Sequence, residues 1–190
     1  MRISAGKARG IILTVPPGLS VRPTAVRSRQ ALFDSLGDLS GLTILDLCAG
    51  SGGLGLEAAS KNAACVTFVE NSAKSARIIR KNIEKVRKAG VESELKVIES
   101  DALKISSFIP SIPLPDIIFC DPPYEVSAEY FSKLTADRDL ASWALDSILI
   151  WELPQSGQKS IDFAKPELWK ISKMRAFGGI EFLFLKPSLS

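Results

Sequence analysis

The feature that most constrains the fold is a regular alternation of short apolar runs and amphipathic segments from residue 43 onward. The apolar runs predict buried strands at 43–48, 64–70, 94–99, 116–121 and 147–152. The segments between them predict helices at 54–60, 72–88 and 128–134, with another near Leu140. Such alternation is typical of a parallel sheet that is covered by helices on both faces.

The end of the chain departs from this alternation. Residues 168–176 and 180–186 surround Gly178-Gly179 and predict an antiparallel hairpin that completes the sheet. The predicted fold class is therefore α/β and Rossmann-like, with a mostly parallel sheet of seven strands and a C-terminal antiparallel hairpin.

The first 40 residues form a separate pattern. Two short strands are predicted at 2–5 and 10–15, around Gly6 and Gly10, with Pro16-Pro17-Gly18 as a turn. A helix is predicted from Ala25 to Leu36, with Thr24 as its N-cap. We therefore expect a small hairpin-and-helix extension at 1–40, followed by the main domain at 41–190.

The extension differs from the rest of the chain in charge. Residues 1–33 contain six basic residues and no acid, whereas the remaining residues contain 18 bases and 21 acids. Such asymmetry favours a polyanionic partner that contacts the N-terminal segment. The candidate phosphate contacts are Arg9, Arg22, Arg27 and Arg29.

Composition excludes several classes of site. The 190-residue chain contains no His, which removes Ser–His, Cys–His and His–metal mechanisms, and no metal site is predicted. Cys48, Cys65 and Cys120 each fall in or beside a predicted strand without CxxC spacing, so they are interpreted as core residues. With neither a run of ~20 apolar residues nor a signal pattern, we expect a cytoplasmic protein, taken as a monomer.

Four acids lie at or just beyond the ends of predicted strands: Asp46, Glu70, Asp101 and Asp121. In open parallel sheets ligands bind outside the carboxyl ends of the strands, at the point where the strand order reverses. We therefore expect these four side chains to lie around one binding site.

A glycine-rich loop follows the first of these strands. Gly50-Ser51-Gly52-Gly53-Leu54-Gly55 is a GxGxxG sequence between a strand and a helix, and Glu70 follows 20 residues after Gly50. This spacing matches the NAD fingerprint. Asp46, however, would repel a pyrophosphate at this loop, whereas it would attract the sulfonium and ammonium groups of S-adenosylmethionine. The sequence therefore favours S-adenosylmethionine over NAD.

Asp121-Pro122-Pro123-Tyr124 follows the fourth predicted strand. The two prolines lack N–H donors and stiffen the segment, which therefore presents a carboxylate and carbonyl oxygens beside an aromatic ring. These groups suit a planar substrate bearing an amino group. Taken alone, the segment is equally compatible with a simple strand stop.

Together these residues resemble a class I S-adenosylmethionine-dependent amino-methyltransferase. The combination of Asp46 through Gly52, Glu70, Asp101 and Asp121-Pro-Pro-Tyr124 with the basic N-terminal segment is similar to the RsmD-like family. That family methylates the exocyclic N2 of a guanine in bacterial 16S rRNA. The chain departs from the family pattern at Gln30, where Glu is usual, and at Asn71, where Asp commonly stands.

The resemblance implies a role for each matched position. Asp121 and the Pro122 carbonyl would accept the N–H bonds of the guanine amino group, with Pro123 completing the motif and Tyr124 stacking on the base. Glu70 would bind the ribose of the cofactor, and Asp101 its adenine, although Asp101 is also placed to cap a helix. The implied cofactor-binding residues are Asp46, Cys48, Ala49, Gly50, Ser51, Gly52, Glu70, Asn71, Asp101 and Ala102.

The implied partner is 16S rRNA or the assembling small ribosomal subunit, and S-adenosylhomocysteine is the implied product. Three alternatives stay open at this point: methylation of adenine N6 in DNA, methylation of a protein glutamine, and a catalytically silent RNA-binding module. The chain has no insert large enough for a separate DNA-recognition domain.

Overall fold

The structure, a computed structural model, describes residues 1–16, 23–153, 165–177 and 180–189. Its strands are β1 (Thr43–Leu47), β2 (Cys65–Glu70), β3 (Glu94–Glu99), β4 (Ile117–Cys120), β5 (Ile148–Glu152), β6 (Trp169–Phe177) and β7 (Ile180–Pro187). Its helices are α1 (Pro23–Leu36), α2 (Gly53–Ser60), α3 (Ala73–Lys88), α4 (Ile105–Phe108), α5 (Tyr124–Ala136) and α6 (Arg138–Trp143). Two short 3-10 turns, Ala102–Lys104 and Ile109–Ser111, flank α4.

The seven strands form one sheet in the order β3-β2-β1-β4-β5-β7-β6. Strands β1 to β5 are mutually parallel, whereas β7 runs antiparallel to β5 and β6. The predicted α/β architecture is therefore confirmed, including its antiparallel end. The strand order reverses between β1 and β4, which places the predicted binding edge at the carboxyl ends of these two strands.

Helices cover both faces of the sheet because successive strand residues point to opposite sides. On one face, Ile44 and Phe119 pack in a core with side chains of α1, α2 and α3. On the other, Leu45 and Ile118 pack with side chains of α4, α5 and α6. The central strands β1, β2, β4 and β5 are buried on both sides, which explains why they are nearly continuous apolar runs in the sequence.

The N-terminal segment differs from its prediction. Instead of two strands at 2–5 and 10–15, a single antiparallel bridge joins Arg2 to Ile12. Gly6 and Gly10 have φ values of 77° and 88°, which turn the chain sharply. The backbone N–H groups of Ser4 and Ala5, which a longer strand pair would have used, are instead bound elsewhere in the domain.

Their partner is the buried carboxylate of Glu57 on α2. Oε1 of Glu57 accepts hydrogen bonds from the N–H groups of Ser4 and Ala5, both at 2.9 Å. Because Glu57 is fully buried, these bonds attach the N-terminal segment firmly to the main domain.

Helix α1 also begins earlier than predicted. It starts at Pro23, so Thr24 lies inside the first turn and not at the N-cap position. Proline suits the first helical position because its missing N–H would have no partner within the helix there. The predicted turn at Pro17-Gly18 and the Gly178-Gly179 pair lie outside the described residues.

All three cysteines are free thiols, and only Cys120 is buried; Cys48 and Cys65 are half-buried. Cys120 lies in the core and Cys48 packs against it, as predicted, and Cys48 also lines the site described below. Within the described ranges, no helix is long and apolar enough to cross a membrane.

Candidate active site

The loop between β1 and α2 is shaped by its glycines. Gly50 and Gly52 adopt left-handed φ values of 58° and 81°, which favour glycine. A Cβ at Gly55 would come within 2.3 Å of the Phe68 ring and 3.0 Å of Asp46 Oδ2. The absence of side chains therefore lets α2 begin directly against the sheet, with the Gly55 N–H facing the end of β1.

Asp46 lies where the end of β1 meets the start of α2, and its side chain is buried, with 1% exposed. Its Oδ2 accepts a hydrogen bond from the Gly55 N–H at 2.9 Å. Burial raises the pKa of Asp46 to about 7, the Gly55 bond partly opposes this rise, and the nearby carboxylates of Asp121 and Glu70 add to it. A cation bound at this position would reverse the balance and favour the charged carboxylate.

Glu70, at the end of β2, connects two loops of the site. Its Oε2 accepts from the Gly50 N–H at 2.7 Å, and its Oε1 accepts from the Ser72 N–H at 2.9 Å. Each carboxylate oxygen retains a further lone pair. Glu70 can therefore hold the glycine loop and still accept hydrogen bonds from a ligand hydroxyl.

Two cavities open along the carboxyl edge of the sheet. The larger, of about 670 Å³, extends over the ends of β2 and β4 and is lined in part by Glu70, Ser100, Pro122 and Tyr124. The smaller, of about 270 Å³, lies over β1, β4 and β5 and is lined in part by Arg29, Asp46 and Glu152. Cys48, Gly50 and Asp121 line both cavities, so the two compartments meet at these three residues.

Asp121 is placed at this junction by the end of β4. Its surface is exposed to the cavities, but dense protein surrounds it, and this burial raises the pKa of its carboxyl group to about 6. Helix α5 begins at Tyr124, and the Val126 N–H donates to the Pro123 carbonyl at 3.0 Å. The Asp121 carboxylate and the Pro122 carbonyl make no hydrogen bond with the described residues and remain available as acceptors.

Asp101 caps the 3-10 turn Ala102–Lys104, which is the second of the two roles expected for it. Its Oδ1 accepts from the Leu103 N–H at 2.9 Å and from the Tyr130 hydroxyl at 2.9 Å. Its neighbours Ser100 and Ala102 line the larger cavity, whereas Asp101 itself is not part of the lining. Its predicted contact with adenine remains a prediction.

The structure brings most of the other predicted cofactor residues to the two cavities. Asn71 lines the larger cavity, and Ala49 and Ser51 line the smaller. Gly52 lines neither, because a Cβ there would face the side chains of Leu56, Ile79 and Phe68. Its contribution is the backbone turn of the loop rather than a surface for a ligand.

The four predicted phosphate contacts fall in different environments. Arg9 and Arg27 are exposed, and Arg22 lies outside the described residues. Arg29 is only 8% exposed, with its guanidinium bound to the Met1 sulfur at 2.8 Å and to the Arg2 carbonyl at 3.0 Å. Arg29 therefore belongs to the wall of the smaller cavity and not to an exterior basic surface.

Two residues of the site were not anticipated from the sequence. Glu152, at the end of β5, and Met1 both line the smaller cavity. Glu152 carries the same signal as the four predicted acids, since it is an acid at the end of a predicted strand. Met1 carries no such signal, because its position depends on the fold of the N-terminal segment.

The chemistry of the site depends on its two cavities and on the carboxylate that they share. Among the described residues, no group of three or more Cys, Asp or Glu side chains is placed to hold a metal ion. Two adjoining cavities that share the Asp121 carboxylate can hold a donor molecule and an acceptor molecule side by side along the sheet edge.

Comparison with known proteins agrees with this arrangement. The family model described as Conserved hypothetical protein 95 matches residues 1–186. The ribosomal RNA small subunit methyltransferase D of Haemophilus influenzae is 30% identical, over 96% of this chain and 91% of that protein. The protein of the same name from Escherichia coli (strain K12) is 32% identical, over 96% and 87%.

A solved structure shows the same fold over nearly the whole length. A hypothetical protein of Thermus thermophilus is 26% identical and superposes with a TM-score of 0.73, covering 98% of this chain and 99% of that chain. The similarities therefore include both the N-terminal segment and the sheet.

Proposed function

Because the chain belongs to the RsmD family, described as Conserved hypothetical protein 95, we propose that it methylates the exocyclic N2 of a guanine in 16S rRNA. The proposed methyl donor is S-adenosylmethionine, and the proposed acceptor is free 16S rRNA or the assembling small ribosomal subunit in the cytoplasm. The observation that carries the proposal is the position of Asp121 at the junction of the two cavities.

The residues present fit the proposed donor. Asp46 and Glu70 place carboxylates at adjacent strand ends, suited to a cationic methionine group and to ribose hydroxyls. The glycine loop offers backbone rather than bulky side chains between them. S-adenosylmethionine supplies a sulfonium-bound methyl group that is already activated for transfer, so the protein needs no metal and no covalent intermediate.

The acceptor amino group presents the chemical difficulty, because its lone pair is delocalised into the guanine ring. Asp121 and the Pro122 carbonyl would each accept one of its N–H bonds, which holds the nitrogen in position and favours the positive charge that develops on it. The nitrogen then loses a proton, and Asp121 is the carboxylate placed to receive it. Tyr124, half-buried beside the larger cavity, would stack on the base.

The base must leave its RNA helix or loop to reach this site. Residues 1–40 are proposed to bind the flanking RNA as a basic extension, through Arg9, Arg22 and Arg27. Glu57 supports this proposal because it attaches the extension rigidly to α2, beside the smaller cavity. RNA bound along the extension would therefore lie at a defined distance from Asp121.

A direct test supplies several acceptors in parallel. The purified protein is incubated with methyl-labelled S-adenosylmethionine and, separately, with unmethylated 16S rRNA, small ribosomal subunits, duplex DNA and a release factor. The proposal expects label in the RNA of the first or second sample. Label only in DNA or only in the release factor would overturn it, and absence of calorimetric binding of S-adenosylmethionine would indicate a silent RNA-binding module.

A further inference from the structure

Glu152 is an acid of the site to which the catalytic scheme above assigns no role. It is the last residue of β5, and Cys120 pairs with Trp151 in the parallel register of β4 and β5. The residues that follow this pair, Asp121 and Glu152, therefore stand side by side at the ends of neighbouring strands. Adjacent strands lie ~4.8 Å apart, so the two carboxyl groups share one surface.

The strand order places Glu152 on the acceptor side of the site. Asp46 and Glu70, the acids suited to the donor, lie at the ends of β1 and β2, on one side of Asp121. Glu152 lies on the other side, beyond β4. A molecule whose amino group is held by Asp121, with the donor over β1 and β2, can reach Glu152 across the smaller cavity, which both acids line.

No hydrogen bond or close ion pair among the described residues accounts for an acid at this position. Burial raises the pKa of Glu152 to about 9, Asp121 adds to the rise, and Arg29 partly opposes it. Within the described part of the chain, its carboxyl group makes no hydrogen bond and no ion pair within 4.0 Å. The nearby Arg29 guanidinium instead contacts Met1, Arg2 and Glu57, the last at 3.6 Å.

We propose that Glu152 is a specificity-determining residue whose carboxyl oxygen accepts the N1–H of the acceptor guanine, beside the amino group held by Asp121. This inference rests on the proposed guanine-N2 methylation. Guanine presents the N2 amino group and N1–H as adjacent donors, and two neighbouring carboxyl groups match this pair. A hydrogen bond from N1–H favours the charged form of the Glu152 carboxyl group, and in that form a purine whose N1 carries a lone pair faces an acceptor with an acceptor.

The test compares guanine with an analogue that lacks the N1 hydrogen. Small subunits are assembled from 16S rRNA that carries either guanine or 2,6-diaminopurine at the methylated position. The analogue keeps the amino group at C2 but has no N1 hydrogen. The wild-type protein is expected to methylate guanine faster than 2,6-diaminopurine, by on the order of 10- to 100-fold. This is the usual effect of one hydrogen bond to a charged or buried polar group.

Glu152→Ala is expected to slow the guanine substrate while leaving 2,6-diaminopurine nearly unaffected, so that the ratio between them approaches one. Glu152→Gln keeps a carbonyl oxygen that can accept the N1–H and is expected to preserve most of the ratio. Glu152→Met, of similar volume, replaces the alanine variant if the latter does not fold. Glu94→Ala, which removes an exposed acid at the amino end of β3, serves as the matched control.

An unchanged guanine preference in Glu152→Ala or Glu152→Met would overturn the inference, as would an equal loss on both substrates. These results are separate from failure of the proposed function. If the wild-type protein methylates no guanine N2 in 16S rRNA, the proposed function itself is wrong. If it does methylate guanine N2, but replacing Glu152 leaves its preference for guanine over 2,6-diaminopurine unchanged, only the role of Glu152 is wrong.

Discussion

Replacing Asp46 by Asn should stabilise the protein in the absence of cofactor. The pKa of Asp46 is raised from 3.8 to about 7, mainly by burial. At ~1.4 kcal/mol per pKa unit, holding this carboxylate charged in the folded state costs about 4 kcal/mol at pH 8. Asn has nearly the same shape, carries no charge, and keeps an oxygen that can accept the Gly55 N–H.

The gain should depend on pH in a defined direction. Because the folded-state pKa of Asp46 lies above its unfolded value, its contribution to stability falls as pH rises between 3.8 and about 7. The stability advantage of Asp46→Asn should therefore decrease from about 4 kcal/mol at pH 8 to about 2 kcal/mol at pH 5. Urea denaturation at both pH values measures this difference.

Asp116→Asn is the matched control. Like Asp46, Asp116 accepts a hydrogen bond from a backbone N–H, that of Thr43 at 2.7 Å, but it is exposed at the amino end of β4. Saturating S-adenosylmethionine should raise the stability of the wild-type protein more than that of Asp46→Asn. A variant that is no more stable than wild type at pH 8, or a gain that is equal at both pH values, would refute the reasoning.

Three further predictions concern catalysis and RNA binding. Asp121→Ala should lower the methylation rate by about 100-fold or more while leaving the calorimetric affinity for S-adenosylmethionine close to wild type. If the variant turned over at a rate comparable to wild type, Asp121 would not be a catalytic residue. The pKa of Asp121 is raised to about 6, so kcat/KM for the RNA, measured at saturating cofactor, should decrease as pH falls through that value. A flat profile from pH 8 to 5 would contradict a role for the carboxylate. Arg9→Ala combined with Arg27→Ala should weaken RNA binding and reduce the slope of log affinity against log salt by roughly 1.5, whereas Arg138→Ala, on α6, should leave the slope unchanged.

The sheet and its binding edge could be predicted from the sequence because local signals agree there. Strands buried on both faces are continuous apolar runs, and Asp46, Glu70 and Asp121 follow or end such runs. Parallel strands bring their carboxyl ends to one edge regardless of the details of packing. The positions of these acids therefore follow from secondary structure alone.

The remaining features depend on contacts between distant parts of the chain. The N-terminal strands were overpredicted because Glu57, more than 50 residues away, takes the N–H groups of Ser4 and Ala5. The burial of Arg29 depends on the same packing, since its partners are Met1 and Arg2. Helical spacing does distinguish Arg29 from the exposed Arg27, because Arg29 stands three and four residues before the buried Leu32 and Phe33.

Glu152 illustrates a different limit. The sequence shows that Glu152 is an acid at the end of a predicted strand. Its proposed role, however, depends on its position next to Asp121, which requires β5 to pair with β4. Strand order is set by crossover connections and not by the composition of either strand. The place of Asp46 and Glu70 at the sheet edge could therefore be predicted from the sequence, whereas the pairing of Glu152 with Asp121 could not.

The activity proposed for this protein is methylation of the N2 of one guanine in 16S rRNA. The most direct measurement is mass-spectrometric mapping of modified nucleosides in 16S rRNA from cells with and without the protein. A single N2-methylguanosine should be absent without the protein and should be restored by wild type but not by Asp121→Ala. Identical modification maps, or a difference confined to another nucleoside, would contradict the proposed activity.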